Sequence, residues 1–449
     1  MVEGRLRSLE KNVERQSLGD RLTGVDFPMA FAVLLLFFSL AGLALTFVAS
    51  AYYQQDSIDR LISFSAVDPP GPMRPEMYPD PIGVHFFGDF LLPLRHAELQ
   101  APYDSPGVMT AVYPLFAVLV IAALNLVPYT LAVILFLMVS VAVVLIPLYL
   151  LLDSRPVVER LLLVGPVLLA APLIHMVDRG NLQGLVVGAA LFGMMALLRS
   201  NHGVAGFWFG IAAAMKAYPV LLLLLLVRER AWKGLWVAIG TGATASVVSA
   251  FAFEGGAVHN LLSFLRATTY FRTSEVHHLT NFNESFKGLF ASVTVLGPSL
   301  LEGVAQWGMV NYGVIFVAFG VLLSISAIIR ATSLLSATTY LCVLSAIGME
   351  ISRIYNPLFF FLVIAVIYAG HVERDLTTFI VIGLLAVYLA PKWMLIGEQR
   401  IHLATVANPL LAGAMVFVLG IRDLWRLLVK RKSRLSPSDD LNHSRVMCR

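Results

Sequence analysis

Apolar runs of about 20 residues, the length a helix needs to cross a bilayer, recur between residues 27 and 421. Nothing else in the chain constrains its fold as strongly. Lipid offers no partner for a backbone N–H or C=O, so only helices and closed barrels can span it, and runs of this length belong to helices. Composition agrees where it matters. Charged residues make up 13% of the chain and hydrophobic ones 58%, against roughly 25% charged in soluble domains. The fold class expected is an all-α polytopic membrane protein with about twelve helices in one membrane domain. Cys342 lies in an apolar block and Cys448 near the end, a pattern that points to neither a disulfide framework nor a metal site. The net charge of +4 gathers toward the ends. It reports topology there and excludes a nucleic-acid-binding surface as the organising feature.

The chain divides into a cytoplasmic N-terminal segment (1–26), a transmembrane domain (27–421) and a basic cytoplasmic tail (422–449). No small-residue cleavage site follows the first apolar block, and Tyr52-Tyr53-Gln54-Gln55 comes next, so the block reads as an uncleaved anchor. Two polar stretches interrupt the domain, 51–106 and 254–305. Basic residues set the orientation. The tail and the cluster Arg228-Glu229-Arg230 with Lys233 belong inside, which puts both polar stretches on the outer face. Parity between them leaves two solutions. In one, every block from 107 to 227 spans once, and Arg155, Arg160 and Arg199 face outward against the rule. In the preferred one, 107–127 is re-entrant or interfacial, and 203–227 is two short passes broken at Lys216-Ala217-Tyr218-Pro219. Arg155, Arg160 and Arg199 are then inside, and Asp178, Arg179 and Lys216 reach the outer side.

Ionisable groups in or beside a membrane domain are costly and mark function by default. Those expected to converge on one outer cavity are Asp89, Asp178, Arg179, Lys216, Glu350 and Arg353, with polar Asn181, Gln183, Asn281 and Asn283. Each has a plainer explanation. Asp89 can be a solvated loop residue, Asp178-Arg179 a helix-end pair, Lys216 a snorkelling side chain, and Glu350 and Arg353 mutual neutralisers at i,i+3. His277-His278 lack a third ligand and make a poor metal site. No cofactor is expected, and a divalent metal stays an open alternative.

The order of motifs resembles the GT-C glycosyltransferases, in particular glycosyltransferase family 87. The matching residues are Gly88-Asp89-Phe90, Ala101-Pro102-Tyr103-Asp104 and Tyr113-Pro114-Leu115, then Gly180-Asn181-Leu182-Gln183. Gly210 through Pro219 before Arg228-Glu229-Arg230 follow, then Asn283-Glu284-Ser285-Phe286. Where family members often carry a Ser/Trp/His cluster, this chain has Gly348-Met349-Glu350-Ile351-Ser352-Arg353.

The resemblance implies a GT-C-like helical domain. It also implies an inverting transfer of a hexose or pentose, mannose first, from a polyprenyl-phosphate donor to a glycolipid or glycan acceptor on the outer face. Asp89 would be the general base. Lys216, Arg353 and Arg179 are the candidates for the donor phosphate, and Asp178, Asn181, Gln183, Glu350 and Asn283 for further substrate contacts. The expected setting is the plasma (inner) membrane of a prokaryote, multi-pass, with both termini cytoplasmic. A transporter or lipid flippase is the competing class, because twelve helices with both ends inside suit it too. The chain shows no half-to-half repeat, and its polar mass is concentrated in two outer stretches.

Overall fold

The computed structural model describes residues 24–52, 89–90, 113–273, 283–348, 352–353, 355–393, 395–396 and 401–435. Helices dominate them. They are α1 (Phe27–Tyr52), α2 (Leu115–Ala122), α3 (Tyr129–Leu150), α4 (Val157–Val164), α5 (Ala171–Arg179), α6 (Gln183–Leu198), α7 (His202–Met215), α8 (Leu223–Arg228), α9 (Trp232–Phe251) and α10 (Gly256–Thr273). After them come α11 (Phe286–Leu296), α12 (Ser299–Val310), α13 (Tyr312–Ile328), α14 (Leu334–Ala346), α15 (Phe361–Tyr368), α16 (Leu376–Leu389) and α17 (Leu403–Leu435). Short 3-10 turns lead into α8 and α15, at Tyr218–Leu222 and Asn356–Phe360. Among the described residues the strands are β1 (Leu395–Ile396) and β2 (Ile401–His402), paired antiparallel. The protein is therefore an all-α polytopic membrane protein.

Polar contacts divide the helix ends between two faces. On one, Arg155 pairs with Asp26 at 2.7 Å and with Glu159. Arg199 pairs with Asp153 at 3.0 Å, and Arg228 donates to Ile329 O at 2.9 Å and to Thr332. Arg422 reaches Ser333 at 2.6 Å and, with Arg426, the carboxylates of Glu373 and Asp375. On the opposite face Asp89 meets Arg179, Tyr218 meets Asn356, and Tyr312 donates to Gly348 O. Arg155, Arg160 and Arg199 thus share a face with Arg228, while Arg179 and Lys216 lie on the other. This is the arrangement of the preferred topology.

Two local features produce it. The stretch 115–126 rises at most ~18 Å at 1.5 Å per residue, too little for a core of about 30 Å. Tyr113 before it and α3 after it both start from the Asp89 face, so this stretch does not cross. Between α7 and α8 the chain reverses at Lys216, where the backbone is extended (φ −149, ψ 145) and Pro219 opens the next turn. Proline there lacks an N–H for a continuous helix. The segment 254–305, expected as an outer loop, contains α10, α11 and most of α12. The apolar stretch that follows breaks at Asn311, where α12 meets α13 at 76°.

α1, α3, α9 and α17 are long and apolar enough to cross a membrane alone, and the α4–α5 pair, bent by 64°, makes a broken span. The helices beneath the Asp89 face are shorter. α6, α7, α14 and α16 have 16, 14, 13 and 14 residues, a rise of ~20–24 Å. Each is shorter than a core about 30 Å thick. α14 and α15 are buried on every side, α15 with an almost wholly apolar sequence and α14 with Ser336, Thr338, Thr339 and Ser345 among its buried residues. Lipid-facing side chains such as Phe37, Trp236, Val317 and Phe417 lie on α1, α9, α13 and α17.

Candidate active site

Phe90 sets the position of Asp89. Its ring is fully buried and packs on Phe136 of α3 with centroids 4.6 Å apart. That contact holds the neighbouring Asp89 over the ends of α5 and α6. α5 finishes at Arg179, and Gly180 turns the chain through the left-handed region (φ 58), with Asn181 N reaching back to Met176 O at 3.0 Å. A glycine suits this cap because a Cβ is strained there. The turn aims two donors at one carboxylate. Arg179 Nη2 reaches Asp89 Oδ1 at 3.1 Å and Asn181 Nδ2 reaches Oδ2 at 2.8 Å. Asn181 is itself locked: its Oδ1 accepts from Gln183 N at 2.8 Å, and its amide also donates to Tyr113 at 3.1 Å.

Burial raises the Asp89 pKa, but the charge of Arg179, the bonds from Asn181 and Arg179 and the charge of Arg353 outweigh it, so the carboxyl lies below its ordinary value. Asp89 is an anion across the neutral range. It can accept a proton from a hydroxyl only as new charge builds up on a neighbour.

Lys216 approaches from the break between α7 and α8. Its Nζ donates to Gln183 Oε1 at 2.7 Å and lies over three rings, Tyr355 at 5.4 Å, Tyr113 at 5.5 Å and Tyr218 at 5.6 Å. The ring faces favour a cation, and no carboxylate forms an ion pair with this one among the described residues. Tyr218 closes the cage, donating to Gln183 Oε1 at 2.6 Å, with Asn356 Oδ1 3.4 Å from the same hydroxyl.

Of the residues singled out from the sequence, Asp89, Arg179, Asn181, Gln183 and Lys216 form one connected cluster. Arg353 is half-buried and adds its charge to the field on Asp89. Asp178 is buried at the end of α5 with Oδ2 unpartnered; Arg179 pairs with Asp89 rather than with it. Asn283 stands further off and holds backbone, accepting from Ser352 N at 2.8 Å and Ser285 N at 3.2 Å. Ser352, Asn356 and Tyr218 link it to the cluster. Glu350, Asn281 and the histidines 277 and 278 lie outside the described residues. Among the described residues no group of His, Cys, Asp and Glu side chains could hold a metal ion.

The cage tyrosines and Asn356 were not foreseen. Tyr113 and Tyr218 stood in matched motifs without a role of their own, and Tyr113-Pro114, Tyr218-Pro219 and Tyr355-Asn356-Pro357 each open a helix or turn at this face. Among the described residues three cations, Arg179, Lys216 and Arg353, stand against two carboxylates, Asp89 and Asp178. A site of that kind can take up an anion and stabilise negative charge as it develops.

A family model described as glycosyltransferase family 87 matches residues 111–349, just over half of the 449-residue chain. Arg179, Asn181, Gln183, Lys216 and Asn283 fall inside the match, with Asp89 before it and Arg353 after it. No curated protein and no solved structure matched.

Proposed function

The chain belongs to glycosyltransferase family 87, and we propose that this membrane glycosyltransferase moves a hexose or pentose, mannose first, from a polyprenyl phosphate to a glycolipid or glycan hydroxyl. Membership in the family decides the broad class in favour of a transferase over a transporter. The observation that carries the finer reading is the pairing of Asp89 with Arg179 and Asn181 beside the caged ammonium of Lys216. A general base and a cation for a leaving group are what a transfer from a phosphate ester requires.

In this reading the acceptor hydroxyl gives its proton to Asp89 and its oxygen attacks the anomeric carbon. The bond from that carbon to the phosphate oxygen breaks, and the electron pair leaves on the lipid phosphate. One displacement inverts the configuration. The departing phosphate needs no protonation, so one carboxylate suffices where glycosidases use two. Lys216, Arg353 and Arg179 stabilise the charge that grows on it. The Asp89 face is taken as external and the arginine-rich face as cytoplasmic, by the distribution of basic residues, in the plasma membrane of a prokaryote.

The test is transfer by the purified protein. Radiolabelled polyprenyl-phosphate mannose, with other hexose and pentose donors in parallel, is incubated with extracted glycolipids. A labelled product whose glycosidic configuration is opposite to the donor's is expected. Turnover of nucleotide sugars but of no lipid-linked donor refutes the proposal.

A further inference from the structure

The face opposite Asp89 carries a feature that sugar transfer does not use. α6 gives way to α7, and α8 to α9, through two links of one design. Each contains a left-handed non-glycine residue, Ser200 at φ 59 and Arg230 at φ 54. Each closes the preceding helix in the same way, Asn201 N returning to Ala196 O and Ala231 N to Leu226 O, both at 2.8 Å. α7 and α9 then rise side by side. A Cβ at Gly206 would stand 2.0 Å from Gly234 O, and one at Gly234 would stand 2.4 Å from His202 O. This contact between backbones fixes the spacing of the two links.

Between them lies a recess of about 640 Å³, lined by Arg199, Asn201, His202, Arg230, Trp232 and Lys233 among others, and by no carboxylate. Arg199 is taken up by Asp153 at 3.0 Å and Leu150 O at 2.7 Å. Arg230 and Lys233 are exposed, and their side chains form no ion pair among the described residues. They supply two uncompensated cations to one rigid hollow.

An apolar stripe leads away from it. Trp232, Trp236 and Ile239 are 55%, 70% and 45% exposed and follow the i, i+4, i+7 spacing of one helix face. The recess is therefore continuous with lipid, and tryptophan beside it is the ordinary marker of a bilayer surface. We propose that the recess binds the phosphate of an anionic phospholipid from the leaflet on that face, with its acyl chains along Trp232, Trp236 and Ile239. A soluble anion would use Arg230 and Lys233 but has no use for the stripe, and a zwitterionic lipid would bring its own cation to a pair of cations. The proposal stands independently of the donor and acceptor assigned above.

The test is tryptophan quenching in phosphatidylcholine vesicles that contain the full-length protein. Phosphatidylglycerol brominated on its acyl chains is titrated in, with brominated phosphatidylcholine as reference. Phosphatidylglycerol should quench at the lower mole fraction, and Trp232→Phe with Trp236→Phe should remove that component. Arg230→Gln with Lys233→Gln should abolish the preference for phosphatidylglycerol. Arg230→Lys, which keeps the charge, should retain most of it. Lys430→Gln with Lys432→Gln, an equal loss of charge elsewhere, should leave it unchanged. Equal quenching by the two lipids overturns the proposal. So does an equal loss in the Lys430/Lys432 variant, which would mean diffuse surface attraction. A loss in Arg230→Lys as large as in the glutamine pair also counts against it. Relief of quenching by millimolar inorganic phosphate would assign the recess to a soluble anion instead.

Discussion

Asp89→Asn is the perturbation that bears most directly on the mechanism. An asparagine keeps the shape and loses the basicity, and general-base catalysis contributes roughly 10²–10⁴-fold. The substitution is not silent toward the surrounding donors. Asp89 accepts from Arg179 on one oxygen and from Asn181 on the other. The amide nitrogen of an asparagine must face one of these two donors, so one bond is lost whichever way the side chain turns. A hydrogen bond to a charged group is worth about 1.5–3 kcal/mol. Arg179 is 37% exposed at its side chain, so water compensates part of that, and a stability cost of about 1–2 kcal/mol is expected. Rate and stability must therefore be read together. In the transfer assay with purified protein, Asp89→Asn should reduce turnover at least 100-fold while donor lipid still binds and the unfolding midpoint falls only slightly. Asn181→Ala also removes a bond to Asp89 but leaves the carboxylate in place, so it should lose much less turnover. Asp178→Asn, at the neighbouring carboxylate, should stay within tenfold of the unmodified protein. If Asp89→Asn transfers sugar at a near-normal rate, or if Asn181→Ala is as damaged as Asp89→Asn, the base lies elsewhere.

Four further outcomes follow from the same geometry. Because Asp89 is held below its ordinary pKa, it stays ionised as pH falls through the mildly acid range, and the acid limb of kcat/KM should lie below the usual carboxylate range. Arg179→Gln removes the largest opposing charge and leaves burial to act, so that limb should move to higher pH; an unmoved limb would mean that another group titrates. Lys216→Ala and Arg353→Ala should each lower turnover on the order of 100-fold in folded protein, and Lys216→Arg should not rescue it, since the three rings close on an ammonium; unchanged kinetics in both alanine variants would remove these residues from the phosphate site. Gly206→Ala should destabilise the protein by about 1–3 kcal/mol, visible as a lower unfolding midpoint, because its methyl meets the Gly234 carbonyl rather than a movable side chain. Impermeant thiol reagents applied to intact cells should label Ser65→Cys and Ser274→Cys but not Ser200→Cys, and the opposite pattern would invert the topology.

The class of the fold was legible in the chain, and the reason is energetic. Unpaired backbone groups cannot be left in lipid, so repeated apolar runs specify helices however they pack. Charge bias likewise placed Arg155 and Arg199 with Arg228, since topology follows basic residues counted along the chain. The reversal at Lys216 was legible too, because Pro219 acts locally. Asp89, Arg179, Asn181, Gln183 and Lys216 stood out as polar groups in an apolar setting, and that residue-by-residue cost is readable without coordinates. What joins them was not. Arg179 has Asp178 beside it in sequence but pairs with Asp89, ninety residues away, because the Gly180 turn and the anchored ring of Phe90 bring the two together. Tyr113, Tyr218 and Tyr355 carry no charge and resemble any interfacial aromatic until three helix ends converge on one ammonium. That the Asn283 oxygen accepts from Ser352 N and Ser285 N likewise depends on packing across about seventy residues of chain. Helical segments within 254–305 passed for a polar loop because their mixed composition shows which face is apolar only once neighbouring helices define inside and outside. Periodicity and charge act within a few residues of chain and can be read there; pairing across ninety residues depends on where helices stop and on what stands beside them.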